Sequence, residues 1–190
     1  MPTAPAYSTG SLQRSVPLIR IVRGHHGQET QFNQESAPVY TGDTIKSGMV
    51  MSLVYDSTKS AYAWRPGVTA GAPAYVALND STDSDVVTAD RLIGISLETA
   101  GFVFESGWFV TGTAGDWDAN AKVAGVAVGN GNAGKFKIAE SGEMVLGILR
   151  PPHRNGLIDM VDRYPEVTPD GDGKVLVARI AANHSMAVTA

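Results

Sequence analysis

Histidine is the first residue type to examine for acid–base or metal chemistry, and the chain has four: His25, His26, His153 and His184. None belongs to an HExxH or HxxxH pattern. With no cysteine in the chain, thiolate zinc sites, redox motifs and cysteine nucleophiles are excluded together. His25 and His26 lie between Gly24 and Gly27. Adjacent residues of an extended strand point to opposite sides, so joint chelation is awkward and solvated or interface histidines are expected.

The other chemical candidates reduce to structural roles. No GxSxG elbow occurs; its nearest imitation is Ser106 in Glu105-Ser106-Gly107-Trp108, which fits a strand bend. Residues 169–174 (PDGDGK) alternate aspartates as a calcium loop does, but the chain runs straight into VLVARI, so a β-turn is expected. Residues 129–135 (GNGNAGK) have the lettering of a phosphate cradle. The following FKIAESGEMV is strand-like rather than helical, so a hairpin turn is expected. The pairs Asp83/Asp85 and Asp116/Asp118 read as loop acids, and Trp64, Trp108 and Trp117 as core or subunit-interface residues. No catalytic, cofactor or metal site is expected, and the protein is not expected to be an enzyme.

The elements that would position these residues are short and β-like. Strands are expected at Met49–Tyr55, Ala61–Trp64, Ala74–Leu78 and Arg91–Leu97, and at Gly101–Gly112 with a bend at Ser106-Gly107. A hairpin follows at Lys122–Val128 and Lys135–Ala139, then a strand at Gly142–Arg150. Residues 85–90 are too short to be independently helical and are read as loop. LIDMVDRY fits a strand or a short helix, and residues 175–181 read as a closing strand. VLGIL repeats the aliphatic-Gly-Ile pattern of RLIGIS, which suggests equivalent strands of one barrel. The fold class is all-β: a small β-barrel or β-sandwich with little helix.

At 190 residues the chain can bury a sizeable core without disulfides or metals. Only 18% of residues are charged, below the usual figure of about 25%, and 21 Gly with 10 Pro provide turns. The net charge of −4 argues against bulk nucleic-acid binding. No window approaches the roughly 18 apolar residues of a membrane span. The N-terminus lacks the pattern of a secretory signal, and a protein retained in the reducing cytoplasm of its producing cell is expected. Residues 1–36 form a distinct segment, an expected N-terminal arm: Arg14, Arg20 and Arg23 precede the first acid, Glu29, so the remainder is correspondingly acidic. Residues 37–190 form the β-rich domain.

The order of APVYTGDTIKSGMVMSL, PGVTAGAPAYVALND, DRLIGISLETAGFVFESGWFVTG and SGEMVLGILRPPHRNG resembles the head decoration (cement) proteins of tailed bacteriophages, over about two thirds of the chain. The resemblance implies a non-enzymatic virion protein, assembled in the host cytoplasm. It would bind the outer surface of the expanded capsid near threefold axes as a homotrimer and stabilise the shell by tying major capsid protein subunits together. Under this reading Leu18, Ile19, Arg20, Ile21, Val22 and Arg23 are the expected capsid contacts, and Trp108, Phe109 and Trp117 the expected oligomer contacts. The competing reading is a head-fibre or tail-associated β module that binds a host surface or glycan. A shell component and a head-maturation protease fit less well: there is too little helix for the first and no nucleophile-base signal for the second.

Overall fold

A computed structural model of the chain describes residues 20–23, 34–97, 103–110, 121–149, 157–159 and 176–182. They form two antiparallel sheets and one short helix. The first sheet contains β2 (Gln34–Ala37), β3 (Val50–Asp56), β4 (Ala61–Pro66), β5 (Tyr75–Ala77) and β6 (Leu92–Ser96), in the spatial order β2-β6-β5-β3-β4. The second contains β1 (Arg20–Arg23), β7 (Val103–Ser106), β8 (Lys122–Gly125), β9 (Phe136–Ile138), β10 (Gly147–Leu149) and β12 (Leu176–Ala182), in the order β1-β7-β12-β10-β8-β9. There, β11 (Leu157–Asp159) pairs with the length of β12 that β10 leaves free. The all-β expectation holds. Strand β1 and the first residues of β2 fall within the segment expected to be an arm.

Local chemistry explains the longest hairpin. Strands β3 and β4 pair in register from Met51↔Pro66 to Asp56↔Ala61, and their β-branched and aromatic residues suit a half-buried pleat. The turn is fixed by Asp56, whose Oδ1 accepts from the Thr58 amide (2.8 Å) and the Lys59 amide (3.3 Å). Residues 84–89, read as loop from sequence, form the helix α1 (Ser84–Ala89). Tertiary packing overrides its shortness: Val86 is buried against the core of the first sheet, and the αL residue Asp90 ends the helix.

If β1 and β11 are set aside, both sheets have the same strand order. Numbered within its own half, each runs first-fifth-fourth-second-third. The opposite edges also meet in the same way. Just past the first strand, Val39 forms a parallel bridge to Trp64, and Phe109 forms one to Phe136. In the first bridge Tyr40 N–H donates to Trp64 O and Trp64 N–H to Pro38 O; in the second Val110 N–H donates to Phe136 O and Phe136 N–H to Trp108 O. A single bridge is not a continuous ladder, so neither sheet closes into a barrel.

The sequence carries the same duplication. Glu35-Ser36, the bridging Val39 and Thr41-Gly42 recur as Glu105-Ser106, Phe109 and Thr111-Gly112. The halves differ by one residue between fourth and fifth strands: matched residues Tyr75 and Gly147 face Ser96 and Ala182, which are not matched positions. A one-residue slip reverses which face a side chain takes. Glu35 accordingly accepts from the core residue Tyr75 (Oη to Oε1, 2.8 Å), whereas Glu105 adjoins the core residue Phe104 and takes the opposite face.

RLIGIS and VLGIL are therefore not equivalent strands of one barrel. Strand β6 is fifth in the first sheet and β10 is fourth in the second. The shared glycine answers separate packing demands. A Cβ at Gly94 would stand 2.7 Å from Met51 Cε and 2.9 Å from Trp64 Cζ2, so its absence lets the indole lie on β6.

Two cores hold the layers. One fills the space between sheets with Val50, Val76 and Ile95 from the first and Phe104, Val123, Phe136 and Leu149 from the second. The other lies on the far face of the first sheet, around Trp64, Met51, Tyr75 and Leu92. The sheets are also joined by main-chain bonds: Val68 N–H donates to Val126 O and Val128 N–H to Val68 O. This crossing requires Gly67, at φ +104°, where a Cβ would lie 2.8 Å from Val126 O.

Candidate interaction surface

The expected capsid contacts fall partly on a sheet edge. Arg20–Arg23 is the outermost strand β1, which pairs antiparallel with β7 as Arg20↔Glu105, Ile21↔Phe104 and Arg23↔Val103, with a register irregularity between Ile21 and Arg23. Leu18 and Ile19 lie outside the described residues. On the other side of Glu105, β12 sets Arg179 opposite it. Glu105 is buried and thus stands between two arginines in the register of three adjacent strands.

The expected oligomer contacts have roles within the protomer. Trp108 is partly buried, and its Nε1 donates to Ser47 O at 3.1 Å. Phe109 makes the bridge to Phe136 and packs against the core between the sheets. Both retain some exposed surface. Trp117 lies outside the described residues.

The chemical candidates resolve as follows. Ser106 is fully buried; its Oγ donates to Gly48 O (2.9 Å) and accepts from the Trp108 amide (3.1 Å), the geometry of a pinned strand bend. The loop at 129–135 joins two strands, and its Asn130 side chain accepts from the Asn132 amide (3.0 Å), the geometry of a hairpin turn. Trp64 is fully buried with Nε1 donating to Leu92 O (2.8 Å), a core role. Asp83 stands at the N-cap of α1 and its Oδ2 accepts from the Asp80 amide (3.2 Å). All four histidines, residues 169–174, Asp116 and Asp118 lie outside the described residues. Among the described residues no group of three or more His, Cys, Asp or Glu is placed to hold a metal, and no helix is long and apolar enough to cross a membrane.

Beside Glu105, sequence reasoning missed the buried carboxylates Asp56 and Asp80. Asp56 Oδ2 accepts from the Thr41 amide (2.7 Å), which ties the β3–β4 turn to the segment after β2. Burial works to raise its pKa, but hydrogen bonds from Thr41, Thr58 and Lys59 outweigh it and lower the value from 3.8 to about 2. Asp80 accepts from the Ser47 amide (2.8 Å) and meets Lys46 Nζ at 3.3 Å, holding the turn before β3 on the loop after β5. Their contacts span distant sequence, so single-residue patterns do not disclose them.

Two surface features remain. A groove of about 590 Å³ lies between the β4–β5 loop and the β8–β9 hairpin, walled by Val68, Ala70, Val126 and Met144 and bordered by the Lys137–Glu143 ion pair. The hydrogen bond to Glu143 raises the Lys137 pKa, against partial burial and with help from Glu140. On the β3–β4 hairpin, Tyr55 and Tyr62 are 54% and 64% exposed and meet edge to face with ring centroids 5.7 Å apart.

No protein-family model, curated protein or solved structure matches the chain.

Proposed function

We propose that this chain is a structural, non-enzymatic virion protein that binds the outer surface of a tailed-phage capsid as a trimer and cements neighbouring major capsid protein subunits. The observation that carries the reading is β1. A segment whose only charges before Glu29 are basic is held as the outermost strand of a sheet. Anchoring Arg20–Arg23 fixes where the chain before it leaves the domain, and Leu18 and Ile19 directly precede that anchor in sequence. The apolar pair docks on the shell while the arginines pair with capsid carboxylates. Several such contacts per oligomer multiply through effective concentration, so each can be weak. Trp117 and the exposed parts of Trp108 and Phe109 serve contacts between copies.

The test separates the arm from the sheet. Removing residues 1–19 keeps β1 and should abolish co-sedimentation with expanded capsids while the melting temperature stays unchanged; retained binding would overturn the arm's role. The exposed Tyr55–Tyr62 pair favours one second reading, a head-fibre or tail-associated module that stacks a sugar of the host surface on aromatic rings. Glycan-array binding that is lost in Tyr62→Ala would favour it over cementing.

A further inference from the structure

The two halves differ in what their first strands carry on the side away from the fifth strand. In the second sheet that side of β7 is occupied by β1. In the first sheet the same side of β2 carries no strand among the described residues, and Gln34, Glu35 and Ser36 are all exposed. The backbone direction can be followed from the bridge. Pro38 O and Tyr40 N–H both turn toward β4, so by strand alternation Ser36 and Gln34 present their N–H and C=O on that same side, beyond the bridge. The Arg91 guanidinium reaches Ser36 O at 3.4 Å, a long contact at a carbonyl that a strand amide would satisfy better.

Strand β1 ends the other sheet and carries no neighbour on its outer side among the described residues. Along the main path of each sheet, then, the bridge at Val39 or Phe109 covers β4 or β9, and beyond it the outer sides of β2 and β1 carry no neighbour among the described residues. Open edges are templates for strand addition. Their charges are complementary: β1 reads Arg-Ile-Val-Arg, and β2 places Glu35 where the matched residue Glu105 already faces Arg20.

We propose that copies of this chain join edge to edge, the open side of β2 in one copy pairing with the outer side of β1 in the next. The contact is heterologous, since it uses two different edges, and rotation between copies closes it into a ring. This deepens the trimeric part of the function proposed above by naming the edges that meet.

Light scattering after size exclusion tests it, with capsid co-sedimentation run on the same proteins. The wild-type chain should give one multi-subunit mass across a wide loading range. Gln34→Pro, at the first residue of β2 where proline spares the β6 ladder, should give the monomer mass with an unchanged circular dichroism spectrum. Because the chain has no cysteine, Glu35→Cys protein mixed with tagged Ile21→Cys protein can be probed with a short bis-maleimide. A mixed cross-link joining those two residues is expected, and it decides the matter alone if Gln34→Pro fails to fold. A wild-type monomer at every concentration, or an oligomer that survives Gln34→Pro and gives no mixed cross-link, overturns edge pairing. Capsid binding by such a protein would leave cementing standing, whereas an edge-paired oligomer that ignores capsids would overturn cementing alone.

Discussion

Glu35 and Glu105 occupy matched places in two sheets of the same strand order, yet one bonds a core tyrosine and the other stands between two arginines of neighbouring strands. The difference follows from a single residue of register between the fourth and fifth strands. One half keeps its glutamate on the face of its own core and carries no further strand on its outer side among the described residues. The other turns it away and has gained a strand from the N-terminal segment.

Acid should weaken the fold through Asp56. Its folded pKa of about 2 lies below the ordinary 3.8, so its stabilisation is fully present above about pH 4 and disappears as pH falls toward 2. Thermal unfolding between pH 5 and pH 2 should show a steep loss in the wild type. Asp56→Asn should start lower and fall less steeply across that window; an identical slope in both proteins would remove Asp56 as the cause.

The crossing between sheets depends on Gly67. Alanine there combines a positive φ with a Cβ that meets backbone atoms at 2.8 Å, so Gly67→Ala should cost on the order of 3 kcal/mol in chemical denaturation. Gly71, also at positive φ but with open space around its Cβ position, should lose less, about 1 kcal/mol. Equal losses at both positions would contradict the account of the crossing.

Ser106 should prove structural. Ser106→Ala leaves the buried Gly48 carbonyl without its donor and the Trp108 amide without its acceptor, a loss of about 1–3 kcal/mol. Capsid binding by the folded fraction should be unchanged.

Trp64 should report the core of the first sheet. Trp64→Phe removes the bond to Leu92 O and part of the indole contact with Gly94, so denaturant unfolding should show a loss of about 2 kcal/mol, against about 4 for Trp64→Ala.

The strands themselves were legible from sequence because their signals are local. The run at Met49–Tyr55 became β3, the buried run at Ala74–Leu78 became β5, and the bend at Ser106-Gly107 ends β7. Helix α1 was missed because six residues fold there only through the burial of Val86. The echo of RLIGIS in VLGIL misled because a glycine between aliphatics marks close packing, whatever the strand's place in a sheet. A better signal lay in plain view, the paired Glu-Ser and Thr-Gly flanking Val39 and Phe109, but its meaning depends on which strands those residues bridge. The basic segment was likewise visible as a charge asymmetry, whereas its pairing with β7 is a contact across eighty or more positions and has no local signature.

Cementing is most directly tested by titrating the purified chain onto bare expanded capsids and sedimenting them. The account predicts saturable binding at a fixed copy number per capsid with a raised capsid melting temperature. Binding that never saturates, or full occupancy with no gain in capsid stability, would contradict it.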